Sequence, residues 1–165
     1  MRVVAFAVVL LTSSPVWAQQ TALPDSAAQV ITGLASTTDV AALVATLKAE
    51  HGVRPQVARP LLQLPPYTVS VEYRTGVANA AVHDKDAELF YVIDGAATLV
   101  TGGRLVNPTR PNADNQTGTG VEGGTAQRIG KGDFVLVPEG TPHWFSAIDS
   151  TLTLMSLHLS RAPQK

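Results

Sequence analysis

The sequence predicts an all-β fold, a sandwich or barrel of short strands, preceded by one helix. Apolar and polar residues alternate from Tyr67 to Arg74, as in a strand with one buried face. Further apolar runs follow at 89–93, 97–101, 134–137, 144–147 and 152–159, separated by Gly, Pro and Asp. A chain of 165 residues, 45% hydrophobic and 15% charged, suits one domain with a sizeable core.

The composition excludes several classes of protein. The chain has no cysteine, which rules out disulfide frameworks, thiolate metal sites and thiol nucleophiles. Its 12 basic and 13 acidic residues leave a net charge of -1, and the basic residues do not cluster. Because a nucleic-acid partner requires a positively charged surface, we expect none. Any chemistry must come from histidine, carboxylate or hydroxyl groups.

Residues 1–18 have the features of a secretory signal peptide. Arg2 precedes an unbroken apolar run at 3–11, and the segment ends in a small residue, Ala18. The run is far shorter than the roughly 20 residues that span a bilayer. We therefore expect cleavage after Ala18, a periplasmic or secreted protein, and no membrane span in the mature chain.

Residues 19–66 are expected to form an N-terminal arm with one helix at 39–50. The helix is indicated by four apolar residues at helical spacing, Val40, Leu43, Val44 and Leu47. Thr37, Thr38 or Asp39 can cap its start, and Gly52 follows its end. Four prolines between residues 51 and 66 then predict an extended connection.

Residues 67–160 are expected to form the β domain, interrupted by a long loop at 102–125. This stretch is rich in Gly, Asn, Thr and Pro and has few apolar residues, which is typical of a functional lid or a ragged hairpin. In contrast, the apolar run at 89–93 predicts a strand that is buried on both faces, and the run at 134–137 predicts a buried strand.

Two histidines and a glutamate stand at the ends of these apolar strands. His83 ends a strand-like segment, Glu88 opens the strand at 89–93, and His143 follows the turn at 138–142. A carboxylate that enters a buried strand needs a cation or hydrogen-bond donors to offset its desolvation. If neighbouring strands bring the three side chains together, they form a site for divalent iron, manganese, nickel or zinc.

The spacing of these residues resembles the two motifs of the cupin family. His83, Glu88 and Gly95 resemble the first motif, and Gly132, Pro138, Gly140 and His143 match the second closely. The resemblance covers about residues 67–159. It implies a small antiparallel β-barrel or jelly roll that commonly binds one metal ion through three histidines and one glutamate. His83, Glu88 and His143 occupy three of these four places.

The fourth ligand place departs from the family pattern. It falls on Ala81, whose side chain has no donor atom, so the site has three protein ligands rather than four. In an alternative register His83 takes the first histidine place and Lys85 the second. We prefer the first register, because its spacing to Glu88 is regular and because a protonated lysine repels a cation.

Other polar side chains have simpler interpretations. We expect His51 and His158 to be structural, although His158 points into the barrel if the register of its strand allows. Arg104 and Arg110 lie in the long loop, where an arginine can clamp an anionic substrate, but we interpret both as solvated surface residues.

Two functions remain open. The first is an exported, metal-dependent enzyme that acts on a small organic molecule while the long loop closes the mouth of the site. The resemblance implies dioxygenase, isomerase or lyase chemistry without choosing among them. The second is a metal-free module that binds a small ligand without turnover, which Ala81 favours. Since cupins often pair, a homodimer is also open.

Overall fold

The computed structural model describes residues 33–160, so the expected signal peptide at 1–18 and the start of the arm lie outside the described residues. In chain order, the elements are α1 (Thr37–Glu50), β1 (Gln56–Leu64), β2 (Tyr67–Arg74), β3 (Ala80–His83), β4 (Asp86–Thr101), β5 (Arg104–Val106), β6 (Thr109–Asn112), β7 (Asn115–Gly118), β8 (Gly120–Glu122), β9 (Thr125–Gly130), β10 (Phe134–Val137) and β11 (His143–Ser160). The predicted all-β fold with one short helix is confirmed.

Nine of these strands form one curled antiparallel sheet, and β5 and β8 form a separate pair. The two longest strands, β4 and β11, pair along most of their length and form the centre of the sheet. The sequence predicts two short strands in each of these stretches. The structure joins them, because the register shift between Ile148 and Leu152, opposite Gly95 and Ala97, absorbs the interruption in both strands without ending either.

The inner face of the curled sheet holds the larger hydrophobic core. It is made by Phe90, Val92, Ala97, Leu99, Ile129, Val137, Phe145, Leu152 and Leu154. Most of these residues come from alternate positions of β4 and β11, since alternate side chains of a strand point to the same face. The core therefore lies beside the part of β4 that carries Glu88.

Helix α1 packs on β1 and β2 through a second cluster centred on Leu47, which is fully buried. The N-cap is Ser36, one residue before the expected candidates. Its hydroxyl accepts from the Asp39 backbone N–H, and the Asp39 carboxylate accepts from the Ser36 backbone, which completes a capping box. Among residues 33–160, no helix is long and apolar enough to cross a bilayer.

The predictions that the strand at 89–93 is buried on both faces and that the strand at 134–137 is buried are wrong. In β4 only alternate residues such as Phe90 and Val92 are fully buried, while Leu89 and Tyr91 are half-buried. In β10, Phe134 is 69% exposed and Leu136 is 58% exposed. The reason is that the sheet is antiparallel, and such a sheet can pack one face on the core and leave the other in solvent, where Phe134 and Leu136 lie.

The expected loop at 102–125 is also corrected, because most of it is strand. Strands β6 and β7 form a hairpin, and β7 extends the main sheet by pairing with β3, with Asn115 opposite His83. Strands β5 and β8 form their own antiparallel pair. The segment is therefore part of the wall of the domain and lies directly against one of the predicted site residues.

Candidate metal centre

Three strands bring the predicted site residues to one place. His83 ends β3, Glu88 lies near the start of β4, and His143 opens β11 directly opposite Ala81 of β3. The turn before β11 is tied to the site, since the backbone N–H of Gly140 donates to the carbonyl oxygen of His83 over 2.8 Å. The turn residues of the second motif therefore hold His143 beside the end of β3.

The carboxylate of Glu88 is the centre of the cluster. Its Oε2 lies 3.1 Å from Nε2 of His83 and 3.1 Å from Nε2 of His143. The side chains of Glu88 and His143 are only 6% exposed, and that of His83 is 18% exposed. The structure thus brings together all three residues that the sequence singled out, and their role as metal ligands stays a prediction.

The outer nitrogen of each of these two rings faces an oxygen. Nδ1 of His83 lies 2.6 Å from Oδ1 of Asn115, and Nδ1 of His143 lies 3.2 Å from the carbonyl oxygen of Thr141. The orientation of the Asn115 amide is set by its Nδ2, which donates to Asn112 over 2.9 Å. Both rings therefore donate their Nδ1–H outward and turn Nε2 towards Glu88.

The electrostatics of the cluster favour an ionised carboxylate next to positive charge. Burial by itself raises the pKa of Glu88, but hydrogen bonds from His143 and His83, together with positive charge on His143 and His158, lower it from 4.5 to about 2. Burial lowers the pKa of His83, whereas its hydrogen bonds with Glu88 and Asn115 raise it, and the net direction is upward. The site therefore holds a carboxylate that requires a cation beside it.

A third imidazole, that of His158, joins the cluster, because the register of its strand points it into the barrel, which is the alternative left open from the sequence. Its Nε2 lies 3.5 Å from Oε1 of Glu88, and its ring centroid lies 4.5 Å from that of His83. One donor atom each from His83, Glu88 and His158 lies within 4.8 Å of the other two. Asn115 was missed, since it falls in the stretch expected to be a loop. Neither residue belongs to a motif, so only the strand register identifies them.

A cavity of about 280 Å³ opens over the cluster. Its wall carries the polar side chains of Gln56, Asn79 and Thr117 and a buried ion pair between Glu72 and Arg74. Nη2 of Arg74 lies 2.7 Å from Oε2 of the Glu72 carboxylate. A small polar molecule in this cavity would therefore meet the three imidazoles, Glu88 and several further hydrogen-bonding groups.

The remaining residues considered from the sequence lie elsewhere. The ammonium of Lys85 contacts Asp114 at the surface, away from the cluster, which agrees with the preferred motif register. His51 caps the C-terminal end of α1 and packs against the ring of Tyr73. Arg104 pairs with Glu122, and Arg110 with Asp84, so neither arginine lines the cavity.

Comparison with known proteins agrees with this architecture. A cupin family model matches residues 59–164. The chain belongs to the cupin family. A search of curated proteins finds no match.

Several solved structures are similar to this cupin. A protein from Bacillus halodurans is 13% identical with a TM-score of 0.52, and the match covers 82% of this chain and 87% of that one. KdgF from Halomonas sp. is 15% identical with a TM-score of 0.47, covering 66% and 83%. The iron(II) form of HppE is 15% identical with a TM-score of 0.49, covering 64% of this chain and 51% of HppE, about half its length. At such identities the similarity shows the fold alone.

Proposed function

We propose that this cupin holds one divalent transition-metal ion through His83, Glu88 and His143 and acts on a small organic molecule in the cavity above it. The observation that supports the proposal is the direction of the imidazole nitrogens. Both rings turn Nε2 to the same carboxylate oxygen, 3.1 Å away, and both engage Nδ1 with an outer oxygen.

This arrangement needs a cation at its centre. A neutral imidazole has one N–H, and when Nδ1 carries it, Nε2 presents a lone pair. A lone pair that faces an ionised carboxylate oxygen at 3.1 Å is repelled unless a proton or a metal ion lies between the two atoms. Two protons, one on each ring, satisfy the carboxylate in the metal-free protein, whereas one metal ion serves both nitrogens and the oxygen at once. The donor set therefore fits a metal ion.

Imidazole and carboxylate donors suit iron, manganese, nickel and zinc, so the set does not select among these metals. A bound divalent ion supplies Lewis acidity at the floor of the cavity. Asn115 and Thr141 keep the two rings in orientation, and Gln56 and Thr117 offer hydrogen bonds to a polar molecule. The reaction belongs to the dioxygenase, isomerase or lyase chemistry that the resemblance implies, without a choice among them.

Metal analysis of protein made without a histidine tag tests the proposal. We expect about one transition-metal ion per chain by mass spectrometry of the metal content, and its loss in His143→Ala. The matched control is His51→Ala, because His51 is the one histidine of the four that lies outside the cluster. Metal-free wild-type protein after incubation with each of the four metals would overturn the proposal.

The second candidate function is a metal-free module that binds a small ligand without turnover. Ala81 favours it, because the residue facing His143 across the strand pair contributes no donor atom. Native mass spectrometry of the purified protein distinguishes the two. A small molecule retained by metal-free protein would favour the module, whereas a mass increase equal to one metal ion favours the first function.

Export and pairing are also part of the proposal. The features of residues 1–18 support a signal peptide, so the mature protein recovered from its native host should begin at Gln19. Mass spectrometry of the intact protein checks this. Sedimentation velocity checks whether the mature protein is a homodimer, as is common in the family.

A further inference from the structure

We infer that His158 is a third imidazole ligand of the metal ion, and that it supplies the nitrogen that Ala81 cannot. The inference rests on the proposed function, since it requires a metal ion held at Glu88. In the cupin motifs the three histidines come from the two motif segments. In this chain the third one comes from the far end of β11, outside both motifs.

Strand register places His158 on the inner face of the sheet. It is the direct cross-strand partner of Glu88 where β11 runs antiparallel to β4. Residues directly opposite each other on adjacent antiparallel strands project from the same face. Glu88 points inward, and so do Leu154 and Ser156, the alternate residues that precede His158 on β11. The backbone therefore aims the His158 side chain at the cluster.

His83, Glu88 and His158 lie at distances at which the three residues can share one ion. Nε2 of His158 lies 3.5 Å from Oε1 of Glu88, while His83 and His143 lie at Oε2. The donor atoms of His83, Glu88 and His158 lie within 4.8 Å of one another. Ligand atoms about 2.1 Å from a common ion are separated from one another by up to about 4.2 Å, so these donor atoms need to move only slightly closer together to bind one ion.

The second ring nitrogen of His158 also lies near an oxygen, but without a hydrogen bond. Its Nδ1 is 3.8 Å from Oδ2 of Asp86, which is beyond hydrogen-bond length. Metal-bound histidines commonly give their second N–H to a carboxylate or carbonyl oxygen. Each of the three rings thus has an oxygen near its Nδ1, hydrogen-bonded for His83 and His143 and more distant for His158. All three Nε2 atoms lie within 3.5 Å of a Glu88 oxygen.

The competing interpretation is that His158 is an exposed cation that pairs with Glu88 and Asp86. Its side chain is 39% exposed, which allows either role. The two roles differ in the number of imidazoles bound to the ion. Pulsed electron paramagnetic resonance of the copper(II)-loaded protein counts them directly, because each coordinated ring contributes its remote nitrogen to the spectrum.

We expect three coupled imidazoles in the wild-type protein and two in His158→Ala. Zinc affinity, measured by competition with a chelator, should fall by at least about 100-fold in His158→Ala, more than the 10- to 100-fold that removal of an outer partner costs. His158→Gln, which keeps the bulk of the side chain, should lose affinity in the same way. His51→Ala is the matched control and should change neither measurement.

A relocation variant sharpens the test. In His158→Ala/Ala81→His the third imidazole returns to the place that the family motif gives it, beside His143 and on the wall of the same cavity. The double variant should regain the third coupled imidazole and most of the lost zinc affinity. If His158 is only an exposed cation, a histidine at position 81 on β3 should not restore what the His158→Ala substitution removes.

The outcomes separate this inference from the proposed function. Two coupled imidazoles in the wild-type protein, or unchanged zinc affinity in His158→Ala, would overturn the inference and leave a metal site of His83, Glu88 and His143 intact. Wild-type protein that takes up no metal would overturn both. The wild-type spectrum needs no variant, so the inference can be tested even if a substitution impairs folding.

Discussion

Replacing Glu88 by glutamine should reduce the loss of stability of the metal-free protein at acidic pH. The carboxylate is buried, and its imidazole neighbours lower its pKa from 4.5 to about 2 in the folded protein. A group whose pKa is lower in the folded state stabilises that state fully above its unfolded pKa, and the stabilisation is lost as pH falls through the folded pKa. The fall in pKa corresponds to about 3 kcal/mol of unfolding free energy.

Urea unfolding in the presence of a chelator measures this contribution, from neutral pH down to about 2. Every titrating group changes the stability of both proteins, so the informative quantity is the difference between the two curves. We expect the wild-type protein to lose about 3 kcal/mol more than Glu88→Gln between pH values of about 5 and 2. Glu122→Gln is the matched control, since Glu122 lies in an exposed ion pair with Arg104 and such pairs contribute little.

Parallel curves for the wild-type protein and Glu88→Gln would refute this reasoning. They would show that the three imidazoles do not stabilise the ionised carboxylate, and that the distances around Glu88 do not reflect a charge-assisted cluster. A difference between the two curves that develops only near neutral pH would also refute it, because that difference would come from titration of the histidines and not of the carboxylate.

Three further predictions follow from the structure. Gly95→Ala should destabilise the protein clearly more than Gly102→Ala, because a Cβ at Gly95 would lie 2.1 Å from the carbonyl oxygen of Thr151. Gly102 also has a positive φ but open space around it, so its substitution should cost only about 1–2 kcal/mol for that backbone conformation. Equal losses of unfolding free energy in chemical denaturation would contradict the clash. Arg74→Met leaves the buried carboxylate of Glu72 without its counter-charge and should lower the free energy of unfolding by about 3–5 kcal/mol, measured in the same way. A loss below about 1 kcal/mol would show that the ion pair is solvated. Asn115→Ala removes the oxygen that accepts from Nδ1 of His83 and should weaken zinc binding about 10- to 100-fold. Unchanged zinc binding would show that the His83 ring does not need this hydrogen bond to stay in orientation.

The predicted site residues could be found from the sequence because each has a local signal. Glu88 enters an apolar run, and His143 follows a turn whose glycine, Gly140, adopts a φ of +70° that favours glycine. Such signals depend on a few neighbouring residues and on motif spacing. They identify which side chains stand at strand ends, and the curled sheet then brings those ends together.

The strands between residues 102 and 125 lack a comparable signal. Strands β6 and β7 have no apolar residue except a proline, and all four residues of β6 are exposed. A strand at the edge of a sheet has no second layer to cover and therefore needs no apolar face. The pairing of β7 with β3 and of β6 with β7 shows that this segment is strand, and the pairing with β3 reveals Asn115 as the partner of His83.

His158 shows most clearly what strand periodicity cannot predict. An odd number of positions separates it from His143 on the same strand, so strict alternation would place the two side chains on opposite faces. Register shifts between Phe145 and Ala147 and between Ile148 and Leu152 change this parity, and both histidines point inward. The position of these irregularities depends on how β11 pairs with β4, which cannot be read from either stretch alone. The third imidazole of this site is therefore a consequence of tertiary pairing, and a substitution that straightened β11 would be expected to turn His158 away from Glu88 without altering any motif residue.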